Sequence, residues 1–163
     1  MSSIIKKSVY KRRTSLNVLH YVKSFQEKYI LHQFWIDSSM GKKIAEIADI
    51  PDVDIAEAGC FKYILIEVRD RGTTYGQSKL VVRGDASCAY HADVLDLMQD
   101  TVDDSKLVLD CKGGGRIRVN PQTRKISVYG YSMGFGRADH EKTVEILQKK
   151  YPQWTIEITD EEY

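Results

Sequence analysis

The sequence predicts an α/β fold in one domain, preceded by a basic extension, and three observations predict it. Phe61–Val68 reads as a strand with apolar residues on both faces, which places it in the middle of a covered sheet. His91–Val102 and the stretch after Asp139 each repeat apolar residues at helical spacing. The C-terminal run of strand, glycine-rich loop, helix and strand looks like a crossover unit, which sets loops and helix starts at the strand ends where ligands bind. A length of 163 residues fits one domain with a real core, plus an extension.

Taken in order, residues 1–39 differ from the rest. Lys6, Lys7, Lys11, Arg12 and Arg13 crowd the start, no acid precedes Glu27, and Val18, Val22, Phe25 and Tyr29 recur at helical spacing. Two readings stand side by side: an organelle transit peptide, which is basic, amphipathic and poor in acids, or a solvated helix or disordered tail. Met40 is then an alternative start for a domain spanning 40–163. After the central strand, Arg69–Gln77 reads as a polar loop and Lys79–Gly84 as a second strand. His91–Val102 is a helix with Val94, Leu97, Met98 and Val102 on one stripe. Leu107–Cys111 is a short strand, Gly113-Gly114-Gly115 breaks it, and Arg116–Val119 resumes. Asn120-Pro121-Gln122-Thr123 is a turn, followed by a strand over Lys125–Tyr131. Asp139 caps the next helix, which carries Val144, Leu147 and Tyr151 inward, ends on Lys149 and Lys150, and is stopped by Pro152. Thr155–Thr159 is the last strand.

Composition limits the function classes. Charged residues make up 29% and apolar residues 42%, as in ordinary soluble domains. No apolar run is long enough to span a bilayer. The net charge of +1 is uneven: residues 1–39 hold seven Lys/Arg and two acids, whereas residues 40–163 hold seventeen and twenty-one. The body is therefore not a basic nucleic-acid binder, and any phosphate site in it must be a local cluster. Cys60, Cys88 and Cys111 are odd in number and widely spaced, which points to free thiols in a reducing compartment and away from a zinc site.

The candidate chemistry centres on Tyr129-Gly130-Tyr131-Ser132-Met133-Gly134-Phe135-Gly136, a strand end running into a glycine-rich loop and then a helix. Such loops bind anions through close backbone approach and through the free N–H groups of a first helical turn. Its pattern is neither Walker A nor the dinucleotide fingerprint, so a plain strand-to-helix turn is the competing reading. His91 also opens a helix. A helix N-terminus disfavours imidazolium, and a neutral ring serves as base or nucleophile near pH 7; the alternative is a partly buried structural histidine. Lys62, Arg83 and Arg116 are cations on strand faces, where a bound oxyanion or a strand end that lets them snorkel to water accounts for them. Cys111 to Arg116 is one residue short of a cysteine-phosphatase loop, and Asp52-Val53-Asp54 follows Pro51 rather than the buried strand of an aspartate phosphatase. No His/Asp/Glu cluster has convincing metal spacing, so catalysis is expected to be metal-free.

These residues carry a resemblance. Ile50-Pro51-Asp52-Val53-Asp54-Ile55, Phe61-Lys62-Tyr63, Val82-Arg83-Gly84 and Tyr90-His91-Ala92-Asp93 are similar to segments of the janus / protein phosphohistidine phosphatase family. So are Gly113-Gly114-Gly115-Arg116-Ile117, Val128 through Gly136, Ala138-Asp139-His140 and Lys150-Tyr151-Pro152. They cover nearly all of residues 50–163 in the family's order, and the tail from Phe135 is most similar to the fly janus-A members. The resemblance implies a mixed β-sheet flanked by two main helices, and metal-independent, cofactor-free hydrolysis of phosphohistidine in proteins. It implies His91 as the catalytic residue, acting as general base or nucleophile. Lys62, the Ala92 backbone N–H, Ser132, Met133 and Gly134 are implied as phosphate-binding, with Arg83, Arg116 and His140 as supporting residues. The implied partners are phosphohistidine-containing proteins, with no nucleic acid and no membrane, for a monomer in the cytoplasm, or in mitochondria if residues 1–39 are a transit peptide. The extension has no counterpart in the family core, and Glu162 stands where relatives usually have glycine. Two rivals are a non-catalytic phosphoprotein-binding module using the same loop and a nucleic-acid binder using the basic N-terminus.

Overall fold

The strand that is apolar on both sides does sit in the middle of the sheet. The computed structural model describes residues 43–72 and 76–160; the expectations for residues 1–39, Met40 and Glu162 fall outside them. After a 3₁₀ turn at Ile47–Asp49 come β1 (Val53–Ile55), β2 (Gly59–Asp70), β3 (Ser78–Asp85), helix α1 (His91–Thr101), β4 (Leu107–Asn120), β5 (Lys125–Tyr129), helix α2 (His140–Lys150) and β6 (Thr155–Ile158). The six strands lie in the order β1-β3-β2-β4-β5-β6. The two outer pairs are parallel and the inner ones antiparallel, so the sheet is mixed. The β5–α2–β6 unit is the expected parallel crossover.

One helix covers each face. Side chains alternate along β2: Phe61, Tyr63 and Leu65 join Ile117, Ile126, Val128 and Leu147 under α2, and Ile64, Ile66 and Val68 join Val94, Met98 and Val102 under α1. Helix α2 starts where the Asp139 carboxylate accepts from the Lys142 backbone N–H at 3.0 Å. Its last-turn Lys150 donates to the Val53 carbonyl at 3.0 Å and ties the helix to β1. On α1 the buried stripe is Val94, Met98 and Val102, at i, i+4 spacing. Leu97, expected on that stripe, is 48% exposed and faces the groove beside β1 and β3.

Three segments depart from the sequence reading. Strand β2 runs on to Asp70, because Glu67, Arg69, Asp110 and Lys112 form a cross-strand charge ladder with contacts of 2.7–3.9 Å. β5 stops at Tyr129, since Gly130 at φ 69° turns the chain before Tyr131. The third departure matters most: the triple glycine does not break β4. The strand is continuous, but its register against β2 shifts by one, Ile64 pairing with Gly114 and Ile66 with Cys111. Lys112 and Gly113 thus oppose Leu65 alone, a β-bulge, with Gly113 at φ 128°. Before the bulge, Leu107, Leu109 and Cys111 face α1. After it, residues of the same parity, Ile117 and Val119, face α2. One strand therefore feeds both cores, and the bulge turns Arg116 to the Lys62 side of the sheet.

Candidate active site

A cleft of about 650 Å³ opens where the N-terminal half of β2, the start of α1 and the loop after β5 meet; it is lined by Lys62, Tyr90, His91, Ala92, Tyr131, Ser132, Met133, Gly134 and Phe135, with Ala89. Residues far apart in sequence, expected separately to handle phosphate, share this one space. Its rim is apolar: Tyr90 is 71% exposed, Tyr131 49% and Met133 91%.

His91 is the first residue of α1 and only 7% exposed. Its ring lies against β4, where Nε2 is 2.9 Å from the Gly115 carbonyl oxygen. A carbonyl can only accept, so Nε2 carries the proton and Nδ1 is left as the basic nitrogen. Burial pushes the His91 pKa below its ordinary value, and the nearby positive charges of Lys62 and Arg116 push the same way, against the Gly115 hydrogen bond. The ring is thus held neutral and in one tautomer.

This seat exists because β4 has no side chains there. A Cβ on Gly114 would stand 2.7 Å from His91 Cδ2 and 3.2 Å from Ser132 Cβ. A Cβ on Gly115 would meet the Tyr129 carbonyl at 2.5 Å and His140 Cε1 at 3.0 Å. The glycines are cut-outs in a strand, one for each histidine.

The loop docks into the same bare stretch. Gly114 N–H donates to the Gly136 carbonyl at 3.0 Å, and Ala138 N–H to the Gly114 carbonyl at 3.1 Å. Ser132 and Gly136 close the loop through mutual backbone bonds of 3.1 and 2.8 Å, and the buried Ser132 hydroxyl accepts from Phe135 N–H at 3.2 Å. Among the described residues, the N–H groups of Met133 and Gly134 at the loop tip donate to no protein acceptor. Helix α2, which follows the loop in sequence, has Asp139 on its own first turn, so its N-terminus is already occupied by a carboxylate. The helix start facing the cleft is that of α1. Its first turn also carries a carboxylate, Asp93, which accepts from the Tyr90 backbone N–H at 2.7 Å; the Ala92 N–H, at the second helical position beside the cleft, has no acceptor among the described residues.

The cations divide. Lys62 is half-buried, lines the cleft and makes no ion pair among the described residues. Arg116, its cross-strand partner on β4, lies on the same face. Arg83 stands apart. It is 6% exposed beneath the second groove, donating to the Val82 and Pro51 carbonyls at 2.9 and 2.7 Å and to Met98 Sδ at 3.2 Å. His140 is also outside the cleft, on the α2 side of β4. Its Nε2 donates to the Gly130 carbonyl at 2.9 Å, and its Nδ1 accepts from Tyr63 Oη at 2.6 Å. Burial holds His140 below its usual pKa and Tyr63 far above, so this buried chain is neutral and braces the turn that begins the loop.

Sequence reasoning missed Gly114, the Gly115 carbonyl and the aromatic rim. The signal was present in the three glycines inside an otherwise strand-like run, which mark a bulge or a close approach.

The fold and cleft define a small α/β protein in which a neutral histidine, a lysine and open backbone N–H groups share one cleft. The Janus/Ocnus family model matches residues 47–155, and the chain belongs to that family. It is 48% identical to the sex-regulated protein janus-A of Drosophila mauritiana over 117 residues, 72% of this chain and 84% of that one. It is 47% identical to the janus-A protein of Drosophila melanogaster over the same shares. It is also 43% identical to the 14 kDa phosphohistidine phosphatase of Sus scrofa over 122 residues, 73% of this chain and 97% of the relative.

Proposed function

We propose that this protein is a phosphohistidine phosphatase that hydrolyses the P–N bond of phosphohistidine in proteins. The observation that carries the reading is His91: a buried, neutral ring with Nε2 committed to Gly115, opposite a lysine and a loop tip with two open N–H groups. The name of the pig relative supports the substrate class. In the proposed reaction Lys62 and the N–H groups of Ala92, Met133 and Gly134 hold the phosphoryl oxygens and offset their charge. His91 Nδ1 takes a proton from water as the water oxygen attacks phosphorus. The P–N bond breaks, and the leaving imidazole takes the proton from His91 Nδ1 and departs neutral, leaving orthophosphate and a neutral His91. Arg116 adds positive charge from the sheet side; Arg83 and His140 act through the fold.

The test is phosphate release from a phosphohistidine peptide by wild type and His91→Ala in parallel. Steady release by wild type and its loss in the folded variant are expected. Binding without release by wild type would make the protein a phosphoprotein-binding module instead. The proposed mechanism uses no metal, and among the described residues no three His, Cys, Asp or Glu side chains converge as a metal-holding group. Turnover should therefore survive excess EDTA; loss with EDTA and recovery on adding Mg²⁺ would refute this part.

A further inference from the structure

Among the described residues, the two large apolar side chains left most exposed are Met133, at 91%, and Tyr90, at 71%. Both line the cleft. They come from the two segments that meet there, the loop after β5 and the start of α1. In the loop, Phe135 packs against the α1 core, while Met133, two residues before it, stays outside. On α1, burial begins at His91 and continues at Val94 and Met98; Tyr90, next in the chain to His91, lies outside that stripe. The fold buries neither side chain, and exposed apolar groups gathered at one opening mark a contact surface for a partner.

Charge and volume say what that partner is. Lys62 is the only formally charged side chain that lines the cleft among the described residues, and the phosphoryl group takes it in the proposed reaction. A charged neighbour of the phosphohistidine would shed water at the mouth with no opposite charge lining it, which is costly. A cleft of about 650 Å³ lies in the range that takes a drug-sized ligand, so it has room for the imidazole and a neighbouring side chain as well as the phosphoryl group. We infer that Tyr90 and Met133 are specificity-determining residues that select polypeptides in which an apolar side chain flanks the phosphohistidine. The inference rests on the phosphatase reading and adds a sequence preference to it. An apolar flank leaves water against the tyrosine ring and the thioether, and the unbranched methionine adapts to the shape that arrives. Neither side chain touches a reacting atom in this scheme; they set which peptide is captured.

The experiment uses the full chain and four phosphohistidine peptides that differ only in the residues on either side of the phosphohistidine: phenylalanine, serine, glutamate or lysine. Wild type should take the phenylalanine peptide with a KM about tenfold lower than the serine peptide, the size of burying part of one large apolar side chain, at equal kcat. The two charged peptides should do no better than the serine one. Tyr90→Ala changes an exposed side chain and should keep the Tm of wild type while narrowing that gap. Tyr90→Phe should keep the gap, because the ring and not the hydroxyl makes the contact. Met133→Gln, of similar length but polar, should narrow it as well. Equal KM for the phenylalanine and serine peptides with wild type, a lower KM for either charged peptide, or a gap unchanged in both Tyr90→Ala and Met133→Gln overturns the inference while the phosphatase reading stands. Failure of wild type to release phosphate from any of the peptides overturns both.

Discussion

Lys62 and His91 line one cleft, yet their losses should look different. Lys62 offers a charge to the phosphoryl oxygens, and losing one charged contact costs about 1.5–3 kcal/mol, roughly tenfold to hundredfold in kcat/KM. A contact made equally in ground and transition states appears in KM. Removing a general base costs about 10²–10⁴-fold and appears in kcat. Lys62→Ala should thus raise KM and keep measurable turnover, while His91→Ala should bind phosphopeptide and turn it over far more slowly; a folded His91→Ala with normal kcat would sink the assignment. The pH profile follows from the same residue. Burial and neighbouring cations hold the folded His91 pKa below the ordinary 6.5. The neutral, active form therefore persists as pH falls through 6.5, and the acid limb of kcat/KM should lie below that value. A limb above it would mean that another group titrates. Folding stability has the same sign: the unfolded histidine binds its proton first, so stability is lost as pH drops from 6.5 toward the folded pKa. The place of His91 at a helix start and its neutral ring were legible from residue type and position, while the same reading left a partly buried structural histidine as the alternative. The tautomer was not, because it is set by a carbonyl 24 residues away.

At the scale of elements, the glycines separate into those with no room for a side chain, such as Gly114, and those beside open space, such as Gly134. A Cβ on Gly114 strikes the His91 ring and the Tyr63 carbonyl, each at 2.7 Å, whereas one on Gly134 meets nothing within 4 Å. Gly114→Ala should therefore displace His91, losing most activity along with stability, whereas Gly134→Ala should keep its Tm and most of its turnover. Equal melting temperatures for the two variants would contradict the cut-out. The helices and the crossover were readable from period and caps because α2 depends on local signals: Asp139 before it, Lys149 and Lys150 at its end, Leu147 inward. β4 was not readable. Its triple glycine has the same local meaning as a break, and only β2 on one side and the loop on the other decide that it stays extended. Nor could spacing show that the loop serves the start of α1 rather than that of α2, the helix it leads into. That depends on how the chain returns across the sheet.

For the molecule as a whole, the two faces of the sheet have different duties. The α2 side is closed: Tyr63 and Thr143 are fully buried, and His140 is buried with them. The α1 side is closed over β3, the C-terminal half of β2 and the N-terminal half of β4, and open at the N-terminal end of β2, where the cleft lies. Opposite-sign charge along the chain was visible from counting, and it limited any phosphate site to a cluster. Counting could not place that cluster, because Lys62 and Arg116 become neighbours only through strand pairing.

The bulge at Lys112 and Gly113 gives β4 a phase. Upstream, odd-numbered residues belong to one side of the sheet; downstream, they belong to the other. Chain length in this stretch is therefore constrained separately from residue identity. Deleting Gly113 alone would remove no side chain, and it would leave Lys112 opposite Leu65 with every downstream pair in place, Arg116 still beside Lys62. One residue inserted between Gly114 and Gly115 would instead move the downstream strand by one against β2, turning Arg116 and Arg118 into the α2 core and Ile117 and Val119 out toward the cleft side. The insertion should abolish folding, measured as loss of a cooperative melt, where the Gly113 deletion and an added residue in the exposed Pro121–Arg124 turn should not. A folded, active insertion variant would mean that the strand can find its phase by another route.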